Sequence, residues 1–119
     1  MDSGPLNPDV LEMLPLSPPV FFVLFALADG DKHGYLIMQE VKVLSGGKLQ
    51  MGPATLYTTI QKLVDRSLIE EVESDSGGRR RNYRLTRAGR QLLDAEFARQ
   101  HEVLLLAKAK KVFPLGGKA

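Results

Sequence analysis

Residues 52–71, GPATLYTTIQKLVDRSLIEE, decide the fold of this chain. Pro53 suits a first helical position, because its missing N–H has no partner there and its φ is already helical. Leu56, Ile60, Leu63 and Val64 then recur at i, i+4, i+7 and i+8, an apolar stripe that faces a core. The other side carries Thr55, Thr58, Thr59 and Lys62. Threonine is an indifferent helix former, and a surface shaped for stability alone favours Glu, Lys, Gln or Ala. A threonine-rich face raises the question of what it touches.

Downstream, Leu68 to Glu73, a Gly-rich turn at 74–78 and Arg79 to Leu85 read as a β-hairpin with a long connection. Tyr83 and Leu85 share one face of its second strand, Asn82 and Arg84 the other. Thr86 caps a last helix that reaches Val112, with Leu92, Leu93, Phe97, Val103, Leu104 and Leu106 on a broad apolar side. Such a helix is about 40 Å long, more than a domain this size covers, so it needs a partner.

Upstream, His33 to Leu44 carries Ile37, Val41 and Leu44 at helical spacing and breaks at Ser45-Gly46-Gly47. KLQM, residues 48–51, reads as a short strand. Before that, Ser17 caps a helix running to Ala28 that is apolar all round. It must be buried on more than one side, with the chain's own core on one and a second copy on the other. Within residues 1–16, Asn7-Pro8 can open a short helix bearing Leu11 and Leu14, an arm that is ordered if it docks.

The chain has 119 residues, 44% hydrophobic and 25% charged, which fits one globular domain. Without cysteine it has no disulfide, thiolate metal site or cysteine nucleophile, which fits a reducing cytoplasm. The longest apolar run, VFFVLFALA at 20–28, is too short to span a bilayer. Acids and no Lys or Arg precede it, unlike a signal peptide, so a cytoplasmic protein without membrane contact is expected. Net charge is only +2, but six arginines and no acid lie between Arg79 and Arg90, after an acidic stretch from Glu70 to Asp75. Such a concentration suits a polyanionic partner.

Three helices followed by a hairpin is the order of a winged helix-turn-helix, in which the helix before the hairpin enters the DNA major groove. The threonine face then has a purpose. Hydroxyls of Thr55, Thr58 and Thr59 can hydrogen-bond bases or phosphates, and their methyls can pack on thymine. Lys62 can reach a phosphate, and Gly78-Arg79-Arg80-Arg81 forms a wing that grips the backbone. Tyr57 reads as half-buried packing with a hydroxyl near a phosphate, and Tyr35 and Tyr83 read as core. His33 and His101 lack metal-ligand spacing, so no metal or other cofactor is expected. No catalytic triad, phosphate loop or carboxylate pair argues for an enzyme.

HGYLIMQEV (33–41), PATLYTTIQKLVDRSLIEE (53–71) and GRRRNYRLTRAGRQLL (78–93) follow one another in a specific order and spacing. Through them, from Val20 to Leu93, the chain resembles the PadR family of bacterial transcriptional regulators, in the short form with a single C-terminal helix. The resemblance implies a homodimeric winged-helix repressor, dimerised chiefly through that helix, which often senses small aromatic or drug-like compounds near the dimer interface. Two positions depart from the family pattern. Gly52-Pro53-Ala54 stands where the family commonly has Ser-Pro-Gly, and Ser67 stands where a glycine usually follows the recognition helix.

The expected fold is therefore mainly α with a small β-hairpin. It divides into an N-terminal arm (1–16), a winged helix-turn-helix (17–86), a dimerisation helix (87–113) and a flexible tail (114–119). Double-stranded DNA is the expected partner, contacted by Pro53, Ala54, Thr55, Tyr57, Thr58, Thr59, Lys62, Arg79, Arg80 and Arg81. A second copy is the other, meeting the first through Phe21, Phe22, Phe25, Leu93, Phe97 and Leu104. Phe21, Phe22, Phe25 and Phe97 also suit a planar aromatic effector, although rings that simply fill the interface are the preferred reading. The alternative function is a winged-helix module that docks proteins.

Overall fold

The computed structural model describes residues 8–73 and 81–112. Five helices and three strands follow in the order α1 (Pro8–Leu11), α2 (Pro18–Ala26), β1 (Lys32–His33), α3 (Gly34–Leu44), α4 (Pro53–Asp65), β2 (Ile69–Val72), β3 (Asn82–Leu85) and α5 (Arg87–Ala109). The expected hairpin forms, with Ile69 opposite Leu85 and Val72 opposite Asn82 in an antiparallel pair. Its turn (74–78), Arg79, Arg80 and the tail (114–119) lie outside the described residues.

One strand expectation needs correction, and one strand goes beyond what the sequence suggested. KLQM forms no strand; Ser45 Oγ accepts from the Leu49 N–H at 2.9 Å, holding this segment to the end of α3. The third strand is instead β1, where Lys32 pairs with Tyr83 and His33 with Asn82. Two residues carry no periodicity, and this pairing comes from β3, distant in sequence.

The core forms where α2 packs against α3, α4 and α5. Val23 and Leu24 from α2, Ile37 and Val41 from α3, Leu56, Ile60 and Leu63 from α4 and Leu92 from α5 are all fully buried. α2 also leaves Phe21, Phe22 and Phe25 half-buried on its remaining side, as an all-round apolar helix should. Leu93 is 0% exposed within a single chain, so it belongs to this core and not to the dimer interface. The described part of the arm (8–16) does dock: Val10, Met13 and Leu14 pack against the core and Leu16 is buried in it.

Hydrogen bonds fix how α4 leads into β2 and how α5 begins. After α4, the Leu68 N–H returns to the Leu63 carbonyl at 2.9 Å and the Ser67 N–H to Val64 at 2.9 Å, closing the orphan carbonyls. This reversal puts Ser67 at φ 61°, a left-handed conformation that glycine adopts without cost. At the start of α5, Thr86 Oγ1 accepts from the Gly89 N–H at 3.0 Å and donates to the Ser67 carbonyl at 2.7 Å. Gly89 lies so near that turn that a Cβ would sit 2.0 Å from the Leu68 carbonyl oxygen.

Candidate nucleic-acid interface

α4 has two sharply different sides. Leu56, Ile60 and Leu63 are buried, whereas Pro53, Ala54, Thr55, Thr58 and Lys62 are exposed. Thr59 is only 9% exposed and its Oγ1 donates to the Thr55 carbonyl at 3.0 Å. This corrects its placement on the open face. It stands three residues after Leu56 and four before Leu63, so helical geometry turns it toward the core. Its hydroxyl bonds back to the preceding turn, as threonine can in a helix.

The open face gains two residues that the reading of the threonines missed. Gln61 and Asp65 are exposed on the same side, and Gln61 Nε2 donates to Asp65 Oδ1 at 2.9 Å. Spacing of three from Thr58 was signal enough to find Gln61. At the other end, Gly52 provides no side-chain cap, consistent with the departure there from the Ser-containing pattern.

The HGY and TLY motifs meet in space. A Cβ on Gly34 would lie 2.1 Å from Tyr57 Oη and 2.6 Å from Cζ, so the glycine is what lets the tyrosine lie over the start of α3. Tyr57 is nonetheless 46% exposed, more open than the half-buried packing expected beside the stripe. Tyr83 is buried in the core, and that burial pushes its hydroxyl pKa up. Tyr35 is not core: it is 61% exposed and accepts from Gln39 Nε2 at 3.3 Å. It follows the buried glycine and faces away from the packed side of α3.

The hairpin strands carry paired charge. Arg84 Nε lies 2.8 Å from Glu70 Oε2 on the facing strand, and Arg81 Nε 3.6 Å from Glu71 Oε2. The acidic stretch is thus partly matched to the arginines across the ladder. Both pairs are exposed, where such contacts contribute little and can be exchanged for another anion. Arg90 donates to the Ala28 carbonyl, leaving it less available than sequence position suggests.

On another side, Phe97 of α5 joins the rings of α2. Phe21 and Phe25 stand edge-on to it, with centroids 5.6 and 5.2 Å away, and Phe22 stands 4.8 Å from Phe21. Beyond them Val103, Leu104, Leu105 and Leu106 are all exposed. His33 Nδ1 accepts from the Leu36 N–H at 3.4 Å, capping α3. Among the described residues no group of three or more His, Cys, Asp or Glu could hold a metal, and no helix is long and apolar enough to cross a membrane.

A helix with an open polar face, followed by a hairpin and backed by a longer helix, can be compared with known proteins. The profile of the transcriptional regulator PadR-like family matches residues 23–95. The chain belongs to the PadR-like family. Members are transcriptional regulators and not enzymes, and the fold agrees with solved PadR structures. One, from Clostridium difficile, superposes with a TM-score of 0.66 at 22% identity over 78% of this chain and 97% of that one. Bacillus subtilis PadR, solved in complex with operator DNA, gives 0.56 at 26% identity over 64% of this chain and 44% of that one. A transcriptional regulator of Mycobacterium tuberculosis is 39% identical over 60% of this chain and 64% of its own length. A 37.1 kDa transposon protein of Streptomyces fradiae is 43% identical over 62% of this chain, which spans only 20% of that protein. The PadR match takes in the C-terminal end of α2, then α3, α4 and the hairpin, and the start of α5. The arm and the apolar end of α5 lie outside it.

Proposed function

We propose that this PadR-like protein is a sequence-specific, homodimeric DNA-binding repressor. The observation that carries the reading is the uncovered face of α4. Ala54, Thr55, Thr58, Gln61 and Lys62 stand on one side of a helix whose other side is locked into the core. Two such helices enter successive major grooves of a pseudo-palindromic operator, about 34 Å apart. Thr55, Thr58 and Gln61 read base edges, with threonine methyls against thymine and the glutamine amide suited to adenine. Pro53 and Ala54 let the uncapped first turn approach a phosphate, and Tyr57 offers its hydroxyl beside them. Lys62, Arg81 and the wing arginines Arg79 and Arg80 supply backbone contacts.

The second copy joins through the ring side of α2 and the end of α5, with Phe21, Phe22, Phe25, Phe97 and Leu104 at the contact. The rings pack on one another, with centroids 4.8 to 5.6 Å apart between neighbours. That arrangement supports an interface filled by protein more than a pocket awaiting an aromatic effector. The cytoplasm is where such a regulator meets its operator.

Selection of a preferred duplex from a randomised pool, followed by affinity against salt, tests this reading. A two-fold symmetric consensus is expected, with a salt slope that corresponds to about 6 or more neutralised phosphates. In the same assay Arg80→Ala should weaken all sequences alike and reduce the slope by about 1. No enrichment and a shallow slope would move the function to protein docking.

A further inference from the structure

The arm and the middle of α5 meet at one side chain. Glu96 is the one buried carboxylate among the described residues. Its Oε1 accepts from the Leu16 N–H and from Arg99 Nε, each at 3.1 Å. Its Oε2 accepts from Arg99 Nη2 at 2.6 Å and Gln100 Nε2 at 2.7 Å. An apolar side chain would avoid the cost of burying a charge, but it would strand the Leu16 N–H without a partner. The carboxylate therefore fixes where the arm lies, beyond filling space.

The arm also faces the recognition helix. Met13, Pro15, Leu16 and Ser17 line a cleft of about 230 Å³ together with Lys62 and Arg66, at the C-terminal end of α4. Neither of these cations has an ion-pair partner among the described residues. In the other direction, Arg99 and Gln100 share a cleft of about 260 Å³ with Val103 and Leu104, on the uncovered end of α5. Glu96 thus ties the middle of α5 to the arm, and the arm in turn lines a cleft with the cationic end of α4.

We propose that Glu96 is a positioning residue for DNA binding: it clasps the arm between α5 and α4 and so holds Lys62 and Arg66 toward the duplex backbone. The inference rests on the DNA-binding reading above. It adds Arg66 to the phosphate contacts and gives the arm, which lies outside the PadR match, a task.

The test compares unmodified protein with Glu96→Ala, Glu96→Gln and Met13→Ser, measuring affinity for the selected duplex against salt, with sedimentation and circular dichroism alongside. Glu96→Ala should lower affinity about 2- to 30-fold, the range for residues that act through a coupled network. Its salt slope should fall by about 1 to 2, roughly 0.9 for each phosphate that is no longer neutralised. Dimerisation should be unchanged. Glu96→Gln keeps an oxygen for the Leu16 N–H and should retain most of the slope, whereas Met13→Ser should imitate Glu96→Ala with the carboxylate intact. A merely structural role would lower melting temperature and leave the slope of the folded protein alone. The proposal is overturned by an unaltered slope in folded Glu96→Ala or, should that variant not fold, in Met13→Ser. Loss of affinity only in step with loss of the dimer also overturns it. Unmodified protein that binds no duplex fails at the earlier step and removes the DNA-binding reading itself.

Discussion

Ser67 occupies the left-handed region at φ 61° because the chain reverses there between α4 and β2. A side chain in that region costs about 1 kcal/mol or more. Glycine removes the cost but adds freedom to the unfolded chain, which offsets part of the gain. Ser67→Gly should therefore raise stability by about 0.5 to 1 kcal/mol, read as a higher urea midpoint at unchanged m. Gly89 presents the opposite case. Its missing Cβ leaves room for the Leu68 carbonyl, which accepts from the Thr86 N–H at 3.1 Å. Gly89→Ala forces backbone apart and should cost about 2 to 3 kcal/mol in the same titration. Residues of this kind were legible only as letters. The sequence marks Ser67 as a departure from a glycine pattern, but its dihedral angle is a property of the folded turn. Thr59 is harder still, since a threonine beside an apolar stripe can face either way and only packing against neighbouring elements decides.

Single elements were easier to read when they were long. The amphipathic spacing of α3 and α4 and the Thr86 start of α5 stand in the sequence, whereas two-residue β1 depends on a partner strand supplied from afar. The side chain with the greatest consequence for an element is Glu96, because it ties the arm to α5. The Arg99 guanidinium, the Gln100 amide and the Leu16 N–H hold its carboxyl down to about 2, against burial, which would raise it. In the unfolded chain a glutamate titrates at about 4.3. The folded value is the lower one, so the stabilisation is complete above the unfolded value and drains away as pH falls through the folded one. Urea midpoints should accordingly drop between roughly pH 5 and pH 2. Glu96→Gln should flatten that part of the profile while lowering the plateau at neutral pH. A profile for Glu96→Gln parallel to that of the unmodified protein would mean that other carboxylates govern acid unfolding.

At the scale of the whole molecule, α5 is the element that the described residues of one chain leave uncovered. Its 23 residues span about 34 Å. Val103 to Leu106, four consecutive residues between 45% and 58% exposed, turn apolar surface around most of the helix. Solvent is a poor cover for so much hydrocarbon, and a second α5 is a good one. Leu93 and Leu104 separate this explanation from simple loss of fold, because the first is 0% and the second 46% exposed in a single chain. Leu104→Glu should leave the fold and its circular dichroism intact, yet shift sedimentation toward monomer by placing charge where apolar surfaces join. DNA affinity should then fall about 100-fold or more, because the second half-site is no longer held at high effective concentration. Leu93→Ala should instead cost about 2 to 5 kcal/mol through a core cavity, with the oligomeric state of the folded fraction retained. If Leu104→Glu stays dimeric and binds its operator normally, the end of α5 is not the interface, and the ring side of α2 must hold the two copies together without it.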